Sequence, residues 1–174
     1  MAALLLLEEY VQLEAGDWVI QNAANSGVGA AVVAIARERG VRTINVVRRE
    51  EAAAQLRAMG GDLAIVDGPK LTERVHAAVR EAGGDPARIR LALDAVSGRA
   101  TGKLLRCLAP GGTAVNYGGL SGEPLTVDAR DLIFLETSLR GFWLARWFER
   151  ATRERQARVY AECGRLVATG ALRV

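Results

Sequence analysis

The chain has 174 residues, half of them hydrophobic and a quarter charged, with a formal net charge of +3. That length buries one proper core. The mild charge, with no dense Lys/Arg block, excludes a dedicated polyanion binder, and no apolar run approaches the length of about 20 residues that a membrane helix needs.

Cys107 and Cys163 lie far apart, and with the single histidine, His76, they make no zinc-ligand spacing. No metal site is expected, and the cysteines read as reduced, buried thiols. The apolar run from Leu4 to Leu7 meets Glu8 and Glu9 at once and lacks the basic flank of a signal peptide. It reads as a helix entered part-way, one side on a core, and as a hint of a longer parent chain.

A polar turn over 12–17 feeds a short apolar strand over 18–22. After it come Ala23-Ala24-Asn25-Ser26-Gly27-Val28-Gly29 and a helix over 27–39. Val28, Ala31, Val32 and Ile35 recur at helical spacing and share a buried face; Gly40 stops the helix as a left-handed cap. Free N–H groups at the helix start, together with the dipole, favour a phosphate there. The first expectation is therefore a dinucleotide pyrophosphate over 25–28. Set on the G-x-G-x-x-G fingerprint, Gly29 is the last glycine, Ala24 and Ser26 stand where the first two belong, and Gly27 is extra. The context supports the reading: a strand before, a helix after, and a second strand about 20 residues on. The alternative is a turn packed with small residues that binds nothing.

The second strand, 43–47, is β-branched and mostly apolar. It ends at Arg48-Arg49-Glu50-Glu51. An acid at this position bonds the ribose 2′-hydroxyl of NAD, whereas arginine accommodates the 2′-phosphate of NADP. The planar arginine fork grips phosphate and keeps its charge, so Arg48, with Arg49 beside it, points to NADPH. Glu50 and Glu51 are the rival readers, but they suit the positive end of the next helix.

That helix spans 50–59 and closes on Gly60-Gly61; a strand over 63–66 follows. A helix over 71–82 ends at Gly83-Gly84 and carries His76, read as a surface residue. The fourth strand, 89–93, leads into Asp94, which either meets a ligand at the strand's carboxyl end or caps the next helix. The helix over 99–108 sets Cys107 toward the core and stops at Pro110-Gly111-Gly112. The fifth strand, 113–117, runs into Gly118-Gly119, which either let a ligand approach the backbone or make a simple turn. A short helix over 131–136, a strand over 138–143 and an amphipathic helix over 147–167, its charges a solvated face, complete the chain. The alternation predicts an α/β fold: a doubly wound, parallel, six-stranded sheet with helices on both faces, in the order 3-2-1-4-5-6. Residues 1–174 read as this one domain.

The stretch from Gln21 to Gly29, with Arg42-Thr43-Ile44-Asn45-Val46-Val47-Arg48, Tyr117-Gly118-Gly119 and Leu139-Arg140-Gly141-Phe142-Trp143-Leu144, resembles the mitochondrial-type trans-2-enoyl-CoA reductases of the zinc-free medium-chain dehydrogenase/reductase superfamily. The resemblance implies a Rossmann domain in which NADPH meets Asn25, Ser26, Gly27 and Val28 at its pyrophosphate. It implies Arg48 at the 2′-phosphate, with Arg49 and Glu50 alongside. Tyr117, Gly118, Gly119 and Leu120, and Phe142, Trp143, Leu144 and Ala145, would lie near the nicotinamide half. The family passes hydride from NADPH to the β-carbon of an enoyl thioester and a proton to the α-carbon, as in fatty-acid synthesis.

Glu50 stands where relatives can carry another arginine, which lightens the phosphate grip. The family's N-terminal GroES-like catalytic domain, with its tyrosine, is expected to be absent here; Tyr10 and Tyr117 do not match that position, so no catalytic residue is assigned. The acyl-thioester substrate belongs to the complete enzyme, and the fragment alone is expected to turn over little. No nucleic acid or membrane partner is expected. A homodimer through the sixth strand is expected, as is a cytoplasmic location in a bacterium or a mitochondrial one in a eukaryote. The alternatives are a quinone-reductase relative with the same NADPH site and a non-catalytic nucleotide-binding module.

Overall fold

Residues 1–172 are described by the computed structural model. Six strands make one sheet: β1 (Trp18–Gln21), β2 (Arg42–Val47), β3 (Leu63–Val66), β4 (Ile89–Asp94), β5 (Thr113–Asn116) and β6 (Ser138–Gly141). Their order is β3-β2-β1-β4-β5-β6, as expected, and every pair is parallel. The helices are α1 (Ala2–Glu8), α2 (Gly27–Glu38), α3 (Glu50–Ala58), α4 (Leu71–Glu81), α5 (Arg99–Cys107), α6 (Ala129–Phe134), α7 (Leu144–Arg150) and α8 (Arg153–Ala168).

Alternate strand residues feed opposite faces. Val19, Leu91, Leu93 and Val115 pack under α1, α2 and α8, where Leu4 to Leu7 are all buried. Trp18, Ile20, Ile44, Val46, Ala92 and Ala114 pack against α4 and α5. A smaller cluster joins Val47 to Val33 of α2 and to Ala52, Ala53 and Leu56 of α3. Both faces are covered, which is why the inner strands are apolar almost throughout.

Several expectations are corrected. The last helix is two: α7 stops at Arg150, and α8 starts afresh because the Thr152 hydroxyl caps the Arg155 N–H at 3.2 Å. The sixth strand ends at Gly141, since Trp143 is already the N-cap of α7. The short helix lies two residues earlier, capped by Asp128 through the Arg130 N–H. A 3₁₀ turn at Pro86–Arg88, capped by Asp85, adds an element between α4 and β4. The charges of α8 do not merely face solvent: Arg155 pairs with Glu9, and Arg165 with Glu38 and Glu162, so the helix is laced to α1 and α2. Cys107 is buried as expected, but Cys163 is only half-buried. His76 is half-buried rather than on the surface, its Nε2 3.1 Å from the Cys107 carbonyl.

Candidate functional site

The strand order reverses between β1 and β4, and the loops after these strands part there. One residue decides how they are held. Asp94, fully buried at the end of β4, accepts hydrogen bonds from Asn22 Nδ2 at 2.6 Å, Thr101 Oγ1 at 2.5 Å and Asn116 Nδ2 at 3.1 Å, and from the Val96 and Ser97 N–H groups. Asn22 in turn accepts the Ala95 N–H at 2.8 Å. The ends of β1, β4 and β5 are thus tied at one carboxylate. Neither reading open for Asp94 describes it: Gly98 is the N-cap of α5, with no side-chain cap bond, and the Asp94 oxygens are occupied by the protein, as an anchor.

The turn after β1 is built from residues forced close together. Ala23 adopts the left-handed region at φ +47°, and its carbonyl accepts the Ser26 N–H at 2.9 Å. Ser26 is the N-cap of α2, its Oγ accepting the Gly29 N–H at 3.1 Å and its carbonyl the Ala30 N–H. Capping in this way leaves the Gly27 and Val28 N–H groups without intrahelical partners. Gly29 cannot carry a side chain: a Cβ there would lie 2.5 Å from the Ala24 carbonyl oxygen. Gly27 faces open space. The two glycines therefore do different work. Gly29 lets the helix approach the turn, while Gly27 leaves room beside the helix end.

In front of this end lies a cleft of about 520 Å³, within the range of small-molecule sites. Asn25 and Ser26 line it from the turn, Arg48 from the end of β2, and Leu120 and Ser121 from the loop after β5. Val46, Val47, Leu71, Val96 and Leu104 give it an apolar wall. Asp67 and Lys103, which sequence reading missed, face it as an ion pair of 2.8 Å.

The expected site residues do not all meet in this cleft. Arg49 is the exposed N-cap of α3, and Glu50 in its first turn is held by Arg57, so neither lines the cleft. A second, wider cleft of about 730 Å³ is lined by Tyr117, Gly118, Phe142 and Trp143, with Tyr10, Arg140 and Arg150. The loop from Tyr117 to Ser121 contributes to both clefts. Gly119 is exposed and a Cβ there would meet nothing, whereas one at Gly118 would press on the Ala95 carbonyl oxygen at 2.9 Å. Leu144 packs inward against the core, and Ala145 is exposed and lines neither cleft.

The Tyr117 hydroxyl is sealed from solvent without a hydrogen-bond partner; the Ser26 hydroxyl is nearby but outside bonding geometry. Burial pushes this phenol up to about 12, the Asp94 charge adding to the shift and Ser26 opposing it. It stays neutral at physiological pH. Tyr10 donates instead to the Gly141 carbonyl at 3.0 Å.

Sheet order, the crevice at the reversal and the capped helix end define a doubly wound α/β domain of the Rossmann type. Residues 27–169 match the zinc-binding dehydrogenase family, and the chain belongs to it. Among the described residues no three His, Cys, Asp or Glu side chains gather as ligands for the metal in that name. The chain is 42% identical over 162 residues to the mitochondrial enoyl-[acyl-carrier-protein] reductase of Dictyostelium discoideum, spanning 91% of this chain and 45% of that protein. It is 42% identical over 146 residues to the mitochondrial enoyl-[acyl-carrier-protein] reductase of Homo sapiens, spanning 82% and 38%. Among solved structures, the Etr1p/NADP/crotonyl-CoA complex superposes with a TM-score of 0.88 at 26% identity, covering 98% of this chain and 48% of that one. The chain thus spans less than half the length of these relatives. No helix among the described residues is long and apolar enough to cross a membrane.

Proposed function

We propose that this chain is the NADPH-binding part of an enzyme that reduces the 2,3 double bond of trans-2-enoyl thioesters. The observation that carries the reading is the cleft at the strand-order reversal, with the capped start of α2 on one side and Arg48 on another. Three features fit the coenzyme. The first turn of α2 has donors left over for a pyrophosphate; the space over Gly27 is open to it; and Arg48, exposed at the end of β2, can grip a 2′-phosphate bidentately. Asn25, Ser26, Gly27 and Val28 would hold the pyrophosphate. Tyr117, Gly118, Phe142 and Trp143 would border the nicotinamide half in the wider cleft. Bound there, NADPH supplies hydride to the β-carbon of the substrate. The relatives, named as enoyl-thioester reductases, support this substrate class for the whole protein rather than for these residues alone.

Glu50 does not argue for NAD, because Arg57 holds its carboxylate along α3. Partnership through β6 belongs to the same proposal. This strand ends the sheet and is largely exposed, and Ile133 and Phe134, in the helix that precedes it in the chain, are 64% and 76% exposed. Such an edge accepts a second copy. The relatives' names support a mitochondrial location in a eukaryote; for a bacterial source the proposal is a cytoplasmic one. Calorimetric titration of the 174-residue chain with NADPH and NADH tests the reading. NADPH is expected to bind tighter by at least about tenfold, equal to 1.4 kcal/mol, and Arg48→Ala to remove most of that difference. No heat with either coenzyme, or an unmoved ratio in Arg48→Ala, overturns it.

A further inference from the structure

Three neighbouring strands end side by side in the order β3, β2, β1, and each end delivers polar groups to the same 520 Å³ cleft: Asp67 after β3, Arg48 after β2, and Ser26 after β1. A dinucleotide laid along this edge is read in sequence. With its pyrophosphate at Ser26 and its ribose at Arg48, the reading proposed above and on which this inference rests, the base falls beyond Arg48, toward Asp67. Val46, Leu71 and Leu104, all buried, give the cleft an apolar wall. An apolar wall suits a purine ring. The same lining holds one charged pair. Lys103 Nζ, reaching over from α5, donates to both Asp67 oxygens at 2.9 and 2.8 Å.

A carboxylate offers acceptors only, and each oxygen keeps a lone pair after receiving the ammonium. An acceptor set beside an apolar wall selects a ring that presents an amino group and rejects one that presents a carbonyl. We propose that Asp67 reads the exocyclic amino group of adenine, with Lys103 as the positioning residue that fixes the carboxylate. The site then discriminates between adenine and a 6-oxopurine, a choice made at the far end of the molecule from the reacting ring.

The test is a binding titration of the full chain, followed by nicotinamide fluorescence, with NADPH and with its deamino analogue carrying hypoxanthine. Wild type is expected to bind NADPH about tenfold more tightly than the analogue. In Asp67→Asn the side-chain amide can donate as well as accept, so the ratio should fall to near unity, with the analogue gaining affinity. Lys103→Met should narrow the ratio while leaving the preference for NADPH over NADH intact. Equal binding of the two ligands by wild type, or an unchanged ratio in Asp67→Asn, overturns the inference while the coenzyme site stands. A Lys103→Met variant that instead loses its NADPH-over-NADH preference also overturns it, by assigning the lysine to the 2′-phosphate. Binding of neither ligand by wild type overturns the coenzyme reading itself.

Discussion

Replacing Gly29 by alanine should loosen the joint between β1 and α2. The added Cβ would lie 2.5 Å from the Ala24 oxygen, 2.6 Å from its Cα and 2.7 Å from its carbonyl carbon. That is roughly 1 Å short of an ordinary contact. The obstacle is backbone, in a turn whose Ala24 side chain is fully buried, so no flexible side chain can give way. Overpacking of this kind costs about 1–3 kcal/mol, and the rigid neighbour puts the cost at the upper end. Alanine's better helix propensity returns up to about 1 kcal/mol. The balance is a loss of about 2 kcal/mol, or roughly 4–8 °C in melting temperature for a chain of this size. Gly27→Ala is the control, since a Cβ there meets nothing within 4 Å; its stability should stay within about 0.5 kcal/mol of the parent. Urea and thermal unfolding by circular dichroism measure both. A Gly29→Ala variant as stable as Gly27→Ala would refute the close approach of helix and turn.

Asp17, at 1% exposure, is opposed by burial, but the Glu14 N–H and the Arg88 and Arg90 guanidinium groups overcome that and hold its carboxyl below the ordinary value. A depressed carboxyl adds stability above the unfolded value, about 3.9, and loses it as pH falls through the folded one. Asp17→Asn should therefore cost about 2 kcal/mol at neutral pH, the gap to wild type closing below about pH 4; a gap constant with pH in urea titrations contradicts this. Burial pushes the Cys107 thiol up to about 12, so a disulfide reagent at pH 8 should titrate Cys163 in the native protein and Cys107 only after unfolding. Two fast thiols in the native state would count against the buried position. In Ala23→Gly the left-handed backbone is relieved by about 1 kcal/mol, and the freer unfolded chain takes back a similar amount. Stability should be near that of the parent, and a large loss in thermal unfolding would show that Ala23 is not strained.

The sheet was legible because its signals are local. Five of the six strands are short, mainly apolar runs, β2 closed by an arginine pair, β3 by Gly68 and Pro69 and β5 by paired glycines, and β-α alternation leaves few parallel arrangements. The turn and helix at 23–29 could be placed from small residues alone. What escaped was long-range. Asp94 reads equally as ligand or cap until Asn22 and Asn116, 72 and 22 residues away, are seen on it. Lys103 and Asp67 are 36 residues apart and carry no mark of sharing a cleft. Glu50 has the position of a nucleotide reader, and no local pattern marks that Arg57, two turns along α3, holds it. The break between α7 and α8 did have a signal: Thr152, a good N-cap residue, stands inside a run whose helical periodicity masked it.

The poor match to the glycine fingerprint has a physical resolution. That fingerprint selects residues for which an unusual backbone is cheap. Here Ala24 and Ser26, at the first two fingerprint positions, lie outside the left-handed region; the left-handed residue is Ala23, just before them, and its strain of about 1 kcal/mol is local. Its neighbours are fixed from both sides: Asn22 by Asp94 and the Ala95 N–H, and Ser26 by the Ala23 carbonyl and by its own capping of Gly29. A network anchored on one buried carboxylate thus holds a turn that asks for no glycine at those two positions. Only the position where a side chain would strike backbone, Gly29, has no substitute. A chain can therefore lose two of three fingerprint glycines and keep the geometry, provided that it keeps Asp94, Asn22 and Gly29 together. The pattern worth searching for in such a chain is that triad, not the spacing of glycines.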